Sequence, residues 1–206
     1  MRHNLTVRLA LPILRVAVRA LMLVLGPTVV KGAYRVPRTG GVLVLANHIA
    51  DFDPVLVQAS CPRMIHFMAK SELFEIKLLR PVIRWFHAFP VEPGAPGRAA
   101  IRHAIDLLHA GEVVCVFPEG ELSVSGELQD LLPGAALIVR KAGVPVICCG
   151  VRNSDRIMPY GSVFPRPALC FTHARWGEAR QFDRRASNDE ILSWAEAQLR
   201  ELTDQE

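Results

Sequence analysis

Residues Asn47-His48-Ile49-Ala50-Asp51-Phe52-Asp53-Pro54 hold an imidazole and a carboxylate five positions apart. A carboxylate on one imidazole nitrogen fixes the tautomer and leaves the other nitrogen free to take a proton, which is a general-base pair. On a regular helix positions five apart point about 140° away from each other and do not meet. They meet only where the chain turns between a strand and a helix. Asp53-Pro54 has the form of such a helix start, and it reads equally as an N-cap acid with proline at the first helical position. The second place is Phe117-Pro118-Glu119-Gly120. Proline ends a strand's hydrogen-bond ladder, glycine lets backbone come close to a ligand, and Glu119 is pushed out at the strand tip, although a solvated turn acid reads the same way. The two places converge if the strands before them run parallel in one sheet, because ligands of open α/β sheets sit beyond the carboxyl ends of strands.

The elements that must position these residues alternate in type. Gly41–Ala46 and Glu112–Phe117 are short continuous apolar runs, as expected of strands buried on both faces. Met64–Ala69, Ala88–Val91 and Val144–Val151 read as further strands, and Ala168–Thr172 as a weak one after Pro165 and Pro167. Helices are expected from Ser71-Glu72 to about Trp85 with a bend at Pro81, over Arg98–Ala110 closed by Gly111, over Gly134–Ala142, and from Ser187 to about Leu202. Strand and helix in alternation predict an α/β fold with a mostly parallel or mixed sheet flanked by helices.

At 206 residues with 50% apolar and 21% charged content, the chain is long enough for one domain with an appendage, and disordered or low-complexity classes are excluded. Five cysteines form no CxxC and no Cys/His ligand spacing, which predicts free thiols and no structural zinc. The net charge of +4 divides unevenly: residues 1–50 hold seven Lys or Arg and no acid, and the remainder is slightly acidic. Between those arginines the chain is apolar from Leu9 to Val30. On a helical wheel Arg8, Arg15 and Arg19 fall within about 40° of one another, a cationic stripe on an apolar helix. Such a helix lies in a bilayer interface with its arginine stems reaching the phosphates, or packs on its own domain. It does not span, since two mid-segment arginines cost about 2.5–3.5 kcal/mol each. A nucleic-acid partner is not expected, for want of basic–aromatic interleaving or a reader motif.

Asn47-His48-x4-Asp53, followed about 65 residues later by Phe117-Pro118-Glu119-Gly120, resembles the glycerolipid acyltransferase family, which includes the 1-acylglycerol-3-phosphate acyltransferases. The likeness runs from about Gly41 to Pro167 and takes in Lys70-Ser71-Glu72-Leu73, Phe89-Pro90-Val91, Pro133-Gly134 and Val144-Pro145-Val146. It implies acyl transfer to a lipid hydroxyl, with His48 as base and Asp53 as its orienting partner. The donor would be acyl-CoA or acyl-carrier protein, with no cofactor, no metal and no covalent enzyme intermediate. The absence of a GxSxG elbow agrees. Phe117, Pro118, Glu119 and Gly120 would line the acceptor site. Family members with phosphate-bearing acceptors commonly carry arginine where this chain has Val91-Glu92-Pro93 and Glu121-Leu122-Ser123. Lys70, Arg98 or Arg102 would have to substitute, and preference for lysophosphatidic acid is expected to weaken. The expected organisation is a membrane-associating segment over 1–38 and an acyltransferase domain over 39–206, at the cytoplasmic face of the membrane.

Overall fold

A computed structural model describes residues 16, 20–75, 87–91, 97–162 and 164–205, with the side chains of Lys70 and Leu73 outside that set. The strands are β1 (Thr28–Lys31), β2 (Val42–Ala46), β3 (Ile65–Lys70), β4 (Phe89–Val91), β5 (Val113–Val116), β6 (Val146–Arg152) and β7 (Thr172–Trp176). They form one sheet in the order β1-β7-β6-β2-β5-β3-β4. Every pairing is parallel except β6 with β7. The helices are α1 (Asp53–Ser60), α2 (Arg98–His109), α3 (Pro133–Ala142), the single turn α4 (Ser154–Ile157) and α5 (Asn188–Thr203). The α/β expectation holds, with a mixed sheet.

The two runs that read as doubly buried strands sit side by side at the centre. All five residues of β2 and all four of β5 are buried, and Leu43 pairs with Val114 on one side and Val146 on the other. Alternate residues feed two cores. Leu43, Leu45, Val114 and Val116 face α2, α3 and α5, against Leu108, Ile138 and Leu199. Val42, Val44, Val113 and Cys115 face α1, Trp176 and the helical stretch 20–25. At about 1.5–3 kcal/mol for each Val or Leu side chain fully buried, these two central strands contribute strongly to the stability of both cores.

Helix ends follow local chemistry. Ser187 Oγ accepts from the N–H of Glu190 at 3.0 Å and starts α5, and Gly143 ends α3 in the left-handed region.

Three expectations are corrected. The apolar stretch to Val30 is not one helix: it is helical over 20–25, breaks at Gly26-Pro27, and continues as β1, because Pro27 lacks the N–H a helix needs and Thr28-Val29-Val30 is β-branched. The last strand is Thr172–Trp176 rather than Ala168–Thr172. Its residues alternate buried Thr172, Ala174 and Trp176 with half-buried His173 and Arg175, a period-two pattern hidden by the charges. Ser71–Phe74 is a 3-10 turn. The rest of that expected helix, with Pro81, Trp85 and Phe86, lies outside the described residues, as do Arg8, Arg15 and Arg19.

Candidate active site

Two loops meet at the carboxyl ends of β2 and β5, which are neighbours in the sheet. The first runs from Asn47 to Phe52 and delivers the chain into α1. The second begins at Phe117.

The carboxylate of Asp53 is fully buried and turned back on the loop that precedes it. Its Oδ2 accepts from His48 Nδ1 at 3.0 Å, from the backbone N–H of Ile49 at 2.7 Å and from that of Ala50 at 2.8 Å. It does not cap α1 forward, and Phe52 at the cap position makes no side-chain bond. The alternative left open by Asp53-Pro54 is thereby decided: Phe52 is at the cap, Asp53 and Pro54 open the first turn, and the acid bonds the imidazole. With Nδ1 donating to Asp53, the lone pair of His48 is on Nε2. Among the described residues Asp53 Oδ1 is buried without a hydrogen-bond partner, so Oδ2 alone gathers the donors.

The His48 ring is held on its face as well. Phe117 stacks on it with centroids 4.1 Å apart and planes 20° from parallel, and Phe67 of β3 lies behind Phe117 at 6.4 Å. The imidazole keeps 18% of its side chain accessible.

Glu119 is buried and ties the second loop to the first. Oε1 accepts from the backbone N–H of His48 at 2.8 Å, and Oε2 from that of Gln129 at 2.9 Å. The His48 carbonyl in turn accepts from the N–H of Ser123 at 2.8 Å. Burial pushes the Glu119 carboxyl above the usual carboxylate range, and its bonds from Gln129 and His48 pull it partly back. Both oxygens are thus engaged by backbone, where the sequence pointed to a lining of the acceptor site. Pro118 fixes the corner, and its carbonyl accepts from Leu132 N–H at 2.8 Å. Gly120 has φ +78°, and a β-carbon there would run into the Leu132 side chain.

Asn47 is a positioning residue that the sequence reading left without a role. Its Nδ2 donates to the Val151 carbonyl at 2.9 Å and its Oδ1 accepts from the Val151 N–H at 2.7 Å, so the end of β2 is clamped to β6. No local signal finds this pairing, because the partners lie 104 residues apart.

The three expected cation substitutes lie on two elements. Lys70 ends β3, two strands from β2, and its side chain lies outside the described set. Arg98 opens α2, the helix that follows β4, the strand three places from β2. With Arg102, His103 and Asp106 it lines an open depression of about 360 Å³. His66 is half-buried, 3.7 Å from Glu112 and edge-on to His87, and burial chiefly lowers its pKa. The buried thiols of Cys115, Cys148 and Cys149 are pushed up by burial, so they remain neutral and fill space.

A model of the family described as Acyltransferase matches residues 28–152. The 1-acyl-sn-glycerol-3-phosphate acyltransferase of Bacillus subtilis is 30% identical over 132 residues, 64% of this chain and 65% of that protein. The enzyme of the same name from Streptococcus pneumoniae is 34% identical over 107 residues, 51% of this chain and 39% of that protein. The matched stretch is thus under two thirds of the length of either relative. The crystal structure of the 1-acyl-sn-glycerophosphate (LPA) acyltransferase PlsC from Thermotoga maritima superposes with a TM-score of 0.82, covering 99% of this chain and 83% of that one at 23% identity. At that identity it shows the shared fold.

Proposed function

This chain belongs to the acyltransferase family, and on that premise we propose that it moves a fatty acyl group from an acyl thioester to the free hydroxyl of a lyso-glycerolipid at a membrane surface. The observation that carries the chemistry is the His48–Asp53 contact, with Nδ1 bound and Nε2 left basic. In this reading Nε2 takes the proton of the acceptor hydroxyl as its oxygen attacks the thioester carbonyl. The carbon–sulfur bond then breaks, and the thiolate leaves with the proton returned from the imidazolium. Asp53 stabilises the imidazolium while it exists. No enzyme nucleophile is needed. Glu119 and Asn47 act as positioning residues, holding the backbone of the His48 loop from β5 and β6. The donor is acyl-CoA or acyl-carrier protein.

The relatives' names support 1-acylglycerol-3-phosphate as the acceptor, with Arg98 and Arg102 of the α2 depression as candidate cations for its phosphate. A second reading has one specific observation behind it. The exposed acid Glu121 stands at the corner where the family's phosphate-pairing arginine is expected, and this favours a lyso-lipid whose phosphate is shielded or absent.

The membrane part of the proposal rests on the basic, apolar N-terminal segment, whose Leu21, Leu23 and Val24 are exposed while Met22 and Leu25 pack into the core. No helix among the described residues is long and apolar enough to cross a bilayer. A segment lying in the cytoplasmic leaflet fits a substrate whose chains stay in lipid.

The test is a labelled acyl donor offered with a panel of lyso-lipids in vesicles, the product being read by mass. Acylation of the panel by the native chain and its loss in His48→Ala support the reading. Equal product from both would refute the base assignment, and the preferred acceptor decides between the two substrate readings.

A further inference from the structure

Between α4 and β7 the chain displays large apolar side chains to solvent. Tyr160, Phe164, Leu169 and Phe171 are all exposed, Phe164 at 73% and Leu169 completely. Single exposed apolar residues are ordinary, but four within twelve positions of a connection mark a surface that meets something.

The connection is not loosely held. Ala168 N–H donates to the Leu25 carbonyl, and Thr172 N–H donates to the Pro27 carbonyl at 2.9 Å. Arg166 N–H donates to the Ile157 carbonyl at 2.8 Å, and Asn153 Nδ2 donates to the Phe171 carbonyl at 2.8 Å. The buried Ile157 lies below, and a β-carbon on Gly26 would already crowd it at 3.2 Å. The backbone that bears these four side chains is therefore tied to the end of the helical stretch 20–25, whose own outer residues Leu23 and Val24 are exposed.

The surrounding charge selects the partner. Arg156 and Arg166 are exposed around this connection, and the neighbouring acid, Asp155, is already 3.6 Å from Arg156. Aromatic and aliphatic side chains with a basic rim suit the headgroup region of an anionic bilayer. A second copy of the chain suits them less, because a two-fold contact would set this basic rim against itself.

We propose that Tyr160, Phe164, Leu169 and Phe171, flanked by Arg156 and Arg166, form a second bilayer-docking surface that enters an anionic membrane beside residues 20–25. The inference rests on the membrane-surface reading above and adds a contact from a part of the chain far from the N-terminus. Two anchors fix the orientation of the sheet to the bilayer, which one helix alone leaves free to roll.

The experiment uses the full chain with vesicles of phosphatidylcholine alone or with phosphatidylglycerol. The double variant Phe164→Glu/Leu169→Glu changes two exposed residues outside the catalytic loops, and its melting temperature checks folding. Binding to the anionic vesicles is expected to fall by roughly tenfold or more, from the loss of one to two buried side chains' worth of apolar contact. Acylation of a short-chain, water-soluble acceptor is expected to stay as in the native chain. In a second arm Leu169→Trp reports depth, with a blue shift and quenching by brominated lipid expected only on anionic vesicles. A third arm replaces Leu23 and Val24 by Glu. If that variant loses binding while the loop variant keeps it and Leu169→Trp stays wet, the second surface is overturned and the N-terminal reading survives. If neither variant changes binding, both fall. If the loop variant shifts the oligomeric state and leaves vesicle binding intact, the occupant is a second copy and the proposal is wrong.

Discussion

Around the fully buried carboxylate of Asp53 three donors converge on one oxygen within 3.0 Å. Along 160–171 large apolar side chains stand in the open with only their backbone held. Proton transfer needs an imidazole whose tautomer and direction are set before the substrate arrives, and short backbone bonds in a dry turn achieve that. A surface that meets lipid needs its apolar groups uncommitted until the partner covers them. The same chain thus commits its polar contacts in the turn after β2 and leaves apolar side chains uncovered in the connection after β6, both beyond the carboxyl ends of parallel strands. Activity on soluble substrate and binding to vesicles are therefore expected to separate under mutation.

The largest expected effect breaks the catalytic side alone. His48→Ala should lower turnover by about 10²–10⁴-fold in a donor-release assay while leaving vesicle binding unchanged, since it removes a base and no lipid contact. A residual rate close to native would dissolve the contrast. Asp53→Asn comes next. An amide keeps the side chain's shape but no longer holds Nδ1 protonated as an ionic acceptor does. The expected loss is about 10²-fold or more in kcat, with little change in KM, read from steady-state kinetics on a short-chain acceptor.

Glu119→Gln sharpens the comparison, because it acts on the backbone of the His48 loop. One amide NH2 must face a backbone N–H, from either His48 or Gln129, and about 1–3 kcal/mol of stability should be lost in denaturant unfolding, with a drop in kcat. The pH dependence has a definite sign. The folded-state pKa of Glu119 is raised by burial, so in the window from the ordinary carboxylate value up to the raised one the folded chain binds more protons than the unfolded chain. Its contribution is therefore most favourable at low pH and is lost as pH rises through that window. The stability of the native chain relative to the variant should therefore shrink as pH rises through that window and stay level outside it, and a pH-independent difference would count against a buried, raised carboxyl.

Asn47→Ala leaves the Val151 N–H and carbonyl without their partner and should cost about 2 kcal/mol in thermal unfolding. The smallest expected effect lies on the open side. Arg98→Ala removes an exposed cation and should raise KM for a phosphate-bearing acceptor by about two- to fivefold with kcat unchanged. No change in KM would place the headgroup elsewhere.

The sequence reading reached the site because its decisive contact is local: five residues separate His48 from Asp53, and one strand-to-helix turn brings them together. It also reached the central strands, whose unbroken apolar runs admit little else. It missed β1 and misplaced β7, the edge pair, where Gly26-Pro27 and an alternation interrupted by His173 and Arg175 were the available signals. For Glu119 no local signal told whether a strand-tip acid turns to solvent, to substrate or to backbone.

Composition and apolar runs determined the fold class and the order of most elements, and motif spacing marked His48 and Asp53 as a candidate pair, because each depends on forces that act over a few residues. Only the tertiary structure decided that Glu119 holds the His48 N–H from 71 residues away, that Asn47 grips Val151 from 104, and that Phe117 stacks on the imidazole. Those contacts exist because β5 and β6 lie in parallel register on either side of β2. The choice of strand neighbours is settled by packing two whole cores at once, and no short stretch of chain encodes it.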